Sequence, residues 1–389
     1  MRRLILLAAL AAMALPGWAA RRVTVAQLEQ ALTAASAAHK PDLEIVRLIG
    51  ETELSERLTR ATLDRLHEKL GLGPQAELAL KLLGDQSEFL QPPASELAAT
   101  AAPDDATQQR MLQAARSYVA QSLVRLPNFL ANRITNRYDD SPVALKKDAW
   151  PVRAGLHLVD TSSRETSIRE EQENQPVAGG GAVWYKQTGL ITRGEFGSTL
   201  GMVLGDAASG KLSWSHWEET EAGPLAVFQY SVPKSASHFE VIGSHLPPPP
   251  TLEGVATPSV GNRGIAGIRI QPGAVGSNKA EITRNRPGYH GYLWLDPASG
   301  TILRITIQAD PKDITAFTRA DILVQYDQVQ IGDKQFTCPV RSLALSSAAS
   351  DARSTGGDDP TMWLNETRFT SYHRFASTTR ILTDSATPQ

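Results

Sequence analysis

Serine, lysine and histidine spacings that carry hydrolytic chemistry are the first features to test in this chain. Ser231-Val-Pro-Lys234 has the Ser-x-x-Lys spacing in which a lysine one helical turn away takes the serine proton. That chemistry needs a helix. Pro233 and the alternating Ala226, Phe228, Tyr230 and Val232 instead put these residues at the end of a strand. Neither Ser-Asp-Asn nor Lys-Thr-Gly occurs, and Gly197-Ser198-Thr-Leu-Gly201 has the wrong spacing for a nucleophile elbow. The eight histidines are scattered, with no i, i+4 pair on a helix and no His-Glu-x-x-His. His216, in Trp214-Ser-His-Trp217, and His290, in Tyr289-His-Gly-Tyr292, sit in strands beside aromatic rings, as sheet-face histidines do. Gly179-Gly-Gly181 lacks the strand-to-helix context of a phosphate cradle. Gly356-Gly-Asp-Asp359 lacks the alternating oxygen ligands and final Glu of a calcium loop. Asn365-Glu-Thr367 has the form of a glycosylation sequon but lies within a strand. No catalytic, metal or cofactor motif survives, so an enzyme would need an unfamiliar site.

The elements that position these residues change character along the chain. From Val23 to about Leu126 the apolar period is helical. Thr24-x-x-Gln27 has the form of a capping box ahead of Val25, Leu28 and Leu32. Asp42 is placed to cap a short helix bearing Leu43, Val46 and Ile49 and closed by Gly50. Leu63, Leu66 and Leu70 mark a third helix stopping at Gly71, and Pro74 opens a fourth with Leu78, Leu82 and Leu83, stopping at Gly84. The expected layout is therefore a helical region over 20–90, a Pro- and Ala-rich linker over 91–105, and a longer helix over 106–127 packing on a sheet. In that helix Leu112, Ala115, Val119, Leu123 and Leu126 share one side, and Pro127 ends it.

Beyond Asn128 the period becomes 2. Strands are predicted around Ile134 to Tyr138, Ala226 to Val232, Tyr292 to Leu295, Leu303 to Ile307, Ile322 to Tyr326, Phe336 to Leu345 and Met362 to Phe375. Short turns such as Asp296-Pro-Ala-Ser-Gly300 join them, which means antiparallel pairing. The expected fold is α+β: a helical N-terminal region, then a large curved antiparallel sheet of about nine or ten strands over 128–380. A covering helix between Gly194 and Gly205 offers Phe196, Leu200, Val203 and Leu204 to that sheet. His245–Asn262, with four consecutive prolines, and Ala348–Asp359 read as exposed loops, and 381–389 as a disordered tail.

The chain opens with Met1-Arg2-Arg3, an apolar run from Leu4 to Leu15 and a Pro16-Gly17 break. Small residues then lead to a cleavage position between Ala19 and Ala20, the layout of a secretory signal over 1–19. No cysteine stands there for a lipid anchor, and no later run is long enough to span a bilayer. The expected address is the periplasm or the exterior, with no transmembrane segment in the mature chain. The one cysteine, Cys338, has no partner in the chain and reads as a buried small hydrophobe. A net charge of −2 argues against nucleic acid and against electrostatic attraction to anionic membranes.

The stretch from Tyr289 to Ala309 is a strand, an Asp-Pro-x-x-Gly turn, Ile-Leu-Arg and a second strand. It resembles the hairpin of outer-membrane lipoprotein carrier and sorting proteins of the Lol type. Tyr326 to Val340, ending Phe-Thr-Cys-Pro-Val, resembles a second segment of that group. The resemblance covers about 129–375 and implies an unclosed antiparallel barrel, covered by helices, whose cavity holds acyl chains. The helical N-terminal third is foreign to the group, and none of its functional residues is carried over. Leu126-Pro-Asn-Phe-Leu-Ala-Asn-Arg133 and the chain as a whole resemble a family of exported bacterial proteins, a likeness that brings no activity with it.

Three readings follow. The first is an exported binding or carrier protein for a lipid or other hydrophobic ligand. Its cavity would be lined by Phe196, Leu200 and Val203 from the helix and Phe228, Tyr230, Leu293 and Leu295 from the sheet. A filled core produces the same alternation, so these seven residues serve either role. The second is an envelope scaffold that contacts a protein partner. The third is a hydrolase, which would show converging His, Asp, Glu or Ser side chains.

Overall fold

A computed structural model describes residues 21–144, 150–169, 172–174, 189–192, 194–245, 258–260, 266–268, 281–315, 317–348 and 361–374. The signal with Ala19 and Ala20, the glycine run at 179–181, the loop carrying Gly356 to Asp359, most of the proline-rich loop and the tail lie outside them. The fold is α+β, with the helical region preceding a large antiparallel sheet. The chain divides into two compact units. One takes residues up to Glu96 together with Val143–Gly155; the other takes Leu97–Pro142 and everything from Leu156.

The helical unit runs β1 (Arg21–Val23), α1 (Val25–Ala37), α2 (Asp42–Gly50), β2 (Thr52–Leu54), α3 (Arg60–Leu70) and α4 (Pro74–Ser87). The Thr24–Gln27 capping box forms in both directions at the start of α1. α3 ends where Gly71 turns left-handed at φ 52°. Two expectations are corrected. Asp42 does not cap its own helix: its carboxylate accepts from the Gln75 and Ala76 amides and so caps α4, whose own N-cap is the side-chain-less Gly73. Gly84 does not stop α4, which continues to Ser87; a Cβ there would sit 3.0 Å from Leu63, so glycine gives close helix packing. β1 and β2 form a two-stranded parallel ribbon that the helical pattern hides. The core is aliphatic throughout, built on Val25, Leu28, Leu32, Ile45, Ile49, Leu58, Leu66 and Leu80.

Residues 143–155, expected within the sheet domain, belong to this helical unit. Gly50 explains the attachment. A Cβ at that position would lie 2.3 Å from the Ala154 carbonyl, so only a glycine lets the segment come this close.

The sheet unit opens with α5 (Asp105–Arg125), capped by Asp104 through the Thr107 amide. There follow β3 (Phe129–Asp139), β4 (His157–Arg169), β5 (Gln172–Asn174), α6 (Ser198–Ala208), β6 (Lys211–Thr220), β7 (Gly223–Val232) and β8 (Val241–His245). Next come β9 (Pro258–Val260), β10 (Ala266–Ile268), β11 (Glu281–Asn285), β12 (Tyr289–Leu295), β13 (Ile302–Ala309), β14 (Phe317–Ile331), β15 (Lys334–Ala348) and β16 (Met362–Arg374). Ten strands form one sheet in the order β5-β4-β3-β16-β15-β14-β13-β12-β7-β6, antiparallel at every pair. β8 pairs with β11 and β9 with β10 as separate ribbons, which is how the chain leaves β7 and returns to its neighbour β12.

The turn singled out in the sequence has a packing role. Asp296 accepts from the Ala298 and Ser299 amides, and Gly300 turns with φ 75°. A Cβ on Gly300 would meet the α5 backbone at Ala114 and Ala115, 2.4–2.5 Å away. The turn therefore seats α5, and Met111, Ala115 and Val119 of that helix enter the sheet's apolar cluster.

Candidate functional site

Six of the seven proposed cavity residues come together. Leu200, Val203, Phe228, Tyr230, Leu293 and Leu295 lie in one buried cluster with residues of α5. Phe228 pairs with Leu293 across β7 and β12, and Ala226 with Leu295. The Tyr230 hydroxyl donates to the Thr306 carbonyl at 2.7 Å, across Gly291, where any side chain would collide with the same carbonyl. These side chains pack against one another.

Phe196 is elsewhere. Gly197, at φ 147°, turns the chain between it and α6, so Phe196 precedes the helix that was expected to carry it. It enters a second cluster with Phe129, Ile168, Cys338 and Phe369, its ring meeting Phe129 at 5.6 Å and Phe369 at 5.1 Å edge to face. Burial in this cluster pushes the Cys338 thiol up to about 12, so it stays protonated and inert at neutral pH.

Two buried polar nodes flank these clusters. In the first, Arg133 of β3 forms an ion pair with Glu195 at 3.0 Å, Glu195 being 1% exposed. The same guanidinium donates to the Thr192 carbonyl at 2.9 Å and lies over the Phe369 ring. Thr192 donates its hydroxyl to Glu195, and the Leu190 amide donates to Ser346. Asn365 donates to the Leu190 carbonyl, which explains why the sequon asparagine is buried. The node thus ties the strap before α6 to β3, β15 and β16. In the second, Asp206 of α6 accepts from the Tyr289 hydroxyl at 2.8 Å and from the His238 amide at 2.8 Å, with His238 Nδ1 at 2.6 Å. Burial and this carboxylate raise the Tyr289 phenol far above its usual range. The His238 side chain is 76% exposed, and the pairing orients its ring as a general base is oriented. No serine or cysteine is hydrogen-bonded to it among the described residues.

Sequence reading missed both nodes. A signal existed for the second: Asp206 falls three residues after Val203, on the buried side of α6. Glu195 stands in Gly194-Glu-Phe-Gly197 with no periodic pattern to mark it.

The residues read for hydrolytic chemistry lie on or beside the sheet, where Ser231 and His290 are register partners across β7 and β12. Ser231 is the penultimate residue of β7, and Lys234 pairs with Asp313 at 3.0 Å. His216 lies 3.7 Å from Glu218, whose carboxylate accepts from the Trp294 indole. His290 is on β12 and exposed. No group of three or more metal-ligating side chains gathers among the described residues. Nor is any described helix long and apolar enough to cross a membrane.

Outside the core, a groove of about 720 Å³ runs between α5 and the corner where α6 passes into β6. One wall is Ala106, Gln109, Arg110, Leu112, Gln113 and Arg116 of α5; the other is Ala207, Ala208, Gly210 and Leu212. Three of the four residues of the second wall are small, Leu212 being the exception. Gly210 is fixed by the fold, since a Cβ there would lie 2.3 Å from the Ser231 carbonyl. The first wall is aligned because 106, 109, 113 and 116 follow helical spacing on one face. Arg116 ends that row and Arg110 stands beside it, about 9 Å away along the axis at 1.5 Å per residue.

Comparison with protein-family models, with curated proteins and with solved structures finds no match to this chain.

Proposed function

We propose that this is an exported binding or carrier protein for a lipid or other amphiphilic ligand, held in the groove between α5 and the α6–β6 corner. The observation that carries the reading is the groove itself. Its volume of about 720 Å³ lies in the range of small-molecule sites, and it combines Leu112, Leu212 and alanines with a few polar groups. Because the groove is open on one side, acyl methylenes resting in it contribute less than the roughly 0.8 kcal/mol of a fully buried one. Leu200, Val203, Phe228, Tyr230, Leu293 and Leu295 form the packed base behind the groove, in one cluster with Met111, Ala115 and Val119 of α5. The address rests on the signal-like N-terminus and the ligand class on the Lol-type resemblance of the β-rich part.

The test is native mass spectrometry of protein purified from an envelope extract, with lipid analysis, alongside uptake of a fluorescent fatty acid. Co-purifying amphiphile and saturable uptake are expected. Ala208→Trp, at an exposed position on the second wall, should abolish uptake while leaving the fold intact. Protein that is consistently empty and takes up no probe overturns the reading.

A second reading, an envelope scaffold, is favoured by Trp150 of the helical unit, which is 89% exposed beside the Val143–Val152 bridge. An exposed indole of this kind serves as an anchor in protein interfaces. Capture of a defined envelope protein that is lost in Trp150→Ala would support it.

A further inference from the structure

We infer that the groove selects an amphiphile with an anionic head, and that Arg116, assisted by Arg110, reads that charge. The inference rests on the ligand-binding reading above and adds the chemistry of the ligand's polar end.

Both guanidiniums are on the groove wall, and both residues are exposed. Among the described residues, no acidic side chain lines the groove. Arg110 is partly engaged: it donates to the Thr107 hydroxyl at 2.7 Å and feels the charge of Asp104, the cap of α5. Arg116 has no ion-pair partner among the described residues. Other arginines of the sheet unit, such as Arg137, Arg319, Arg341 and Arg368, are paired, so the free guanidinium on the groove wall is open to a ligand.

Leu112, Ala207, Ala208 and Leu212 supply the apolar part of the same groove. A planar guanidinium beside an apolar trough matches one shape of ligand: an acyl chain along the trough and a carboxylate held by two parallel N–H bonds at its end. Gln109 and Gln113, on the same helix face, can donate to the same head. A neutral head would leave Arg116 as it stands now, solvated and without gain.

The experiment compares a fluorescent long-chain fatty acid with its methyl ester, which keeps the chain and removes the charge. Both are titrated into the intact wild-type protein, Arg116→Gln, Arg110→Gln and Ala208→Trp. Wild type should bind the acid about two- to fivefold tighter than the ester, the range for an ion pair at an exposed position. Arg116→Gln should remove most of that preference without weakening the ester, Arg110→Gln should remove less, and Ala208→Trp should weaken both. The preference should also shrink as salt rises from low ionic strength. Equal binding of acid and ester by wild type, or an acid preference untouched by Arg116→Gln, overturns this inference and leaves the ligand-binding reading standing. Failure of both probes to bind overturns that reading and this inference with it.

Discussion

The two units of this protein are held together by different physics. The helical unit buries an aliphatic core and finishes its helices with local devices: a capping box at Thr24, a left-handed Gly71 and the Asp42 carboxylate on α4. The sheet unit buries more aromatic rings and more charges than the helical unit, where Phe89, Arg57 and Asp85 are the buried ring and charges among the described residues. Glu195, Asp206 and Glu366 are all nearly inaccessible, and each has a cationic or hydroxyl partner. Aliphatic packing tolerates small changes of shape and depends on volume. A buried ion pair is indifferent to volume and intolerant of losing one member. The first unit should therefore respond to cavities, and the second to broken pairs.

The largest expected effect is Glu195→Ala. It leaves the Arg133 guanidinium buried without its countercharge, and the expected loss is about 3–5 kcal/mol by denaturant unfolding. The double replacement Arg133→Met with Glu195→Leu should recover most of that loss, because the pair is removed whole. Recovery separates a charge effect from a packing effect.

Leu66→Ala is the counterpart in the helical unit, where the side chain is fully buried. A loss of about 2–5 kcal/mol is expected, set by the cavity left behind. Cys338 tells the two units apart. It is the one cysteine of the chain, lies in the sheet unit and is buried. Thiol labelling under native conditions should accelerate in Glu195→Ala and stay at the wild-type rate in Leu66→Ala. Equal acceleration in both would mean that the units open together. The thiol also sets a pH dependence. Its folded pKa is raised to about 12, so the native state keeps its proton longer than the unfolded chain does. Its contribution to stability is complete at neutral pH and falls away as the pH climbs from the ordinary thiol range to about 12.

The smallest effect belongs to the capping box. Thr24→Ala removes one of its two reciprocal bonds, and a loss of about 0.5–2 kcal/mol is expected, confined to the helical unit.

How far the sequence was legible follows the same division. The helices of the first unit were readable because caps, stops and apolar spacing are local, and the strands were readable because their period is 2. What the pattern hid is non-local. Gly84 and Gly205 look like helix stops but lie inside helices, since α4 and α6 run on past them. Asp42 serves a helix 32 residues further on, and Gly50 exists for Ala154, about a hundred residues away. Phe196 was assigned to the helix by spacing, and Gly197 turned it into another cluster. The alternation that marked Phe228, Tyr230, Leu293 and Leu295 identified the buried face of the sheet without saying whether that face is packed. The groove had no sequence signature at all, because its walls meet only once Gly300 seats α5 against the sheet.

Site and core are separated most directly by photo-crosslinking with a fatty acid that carries a diazirine on its chain, followed by peptide mapping. The expected crosslinks fall in 106–116 and 207–212, the two walls of the groove, and disappear in Ala208→Trp. Crosslinks at Tyr230, Leu293 or Leu295, or none above an unrelated control protein, would contradict a ligand site outside the packed core.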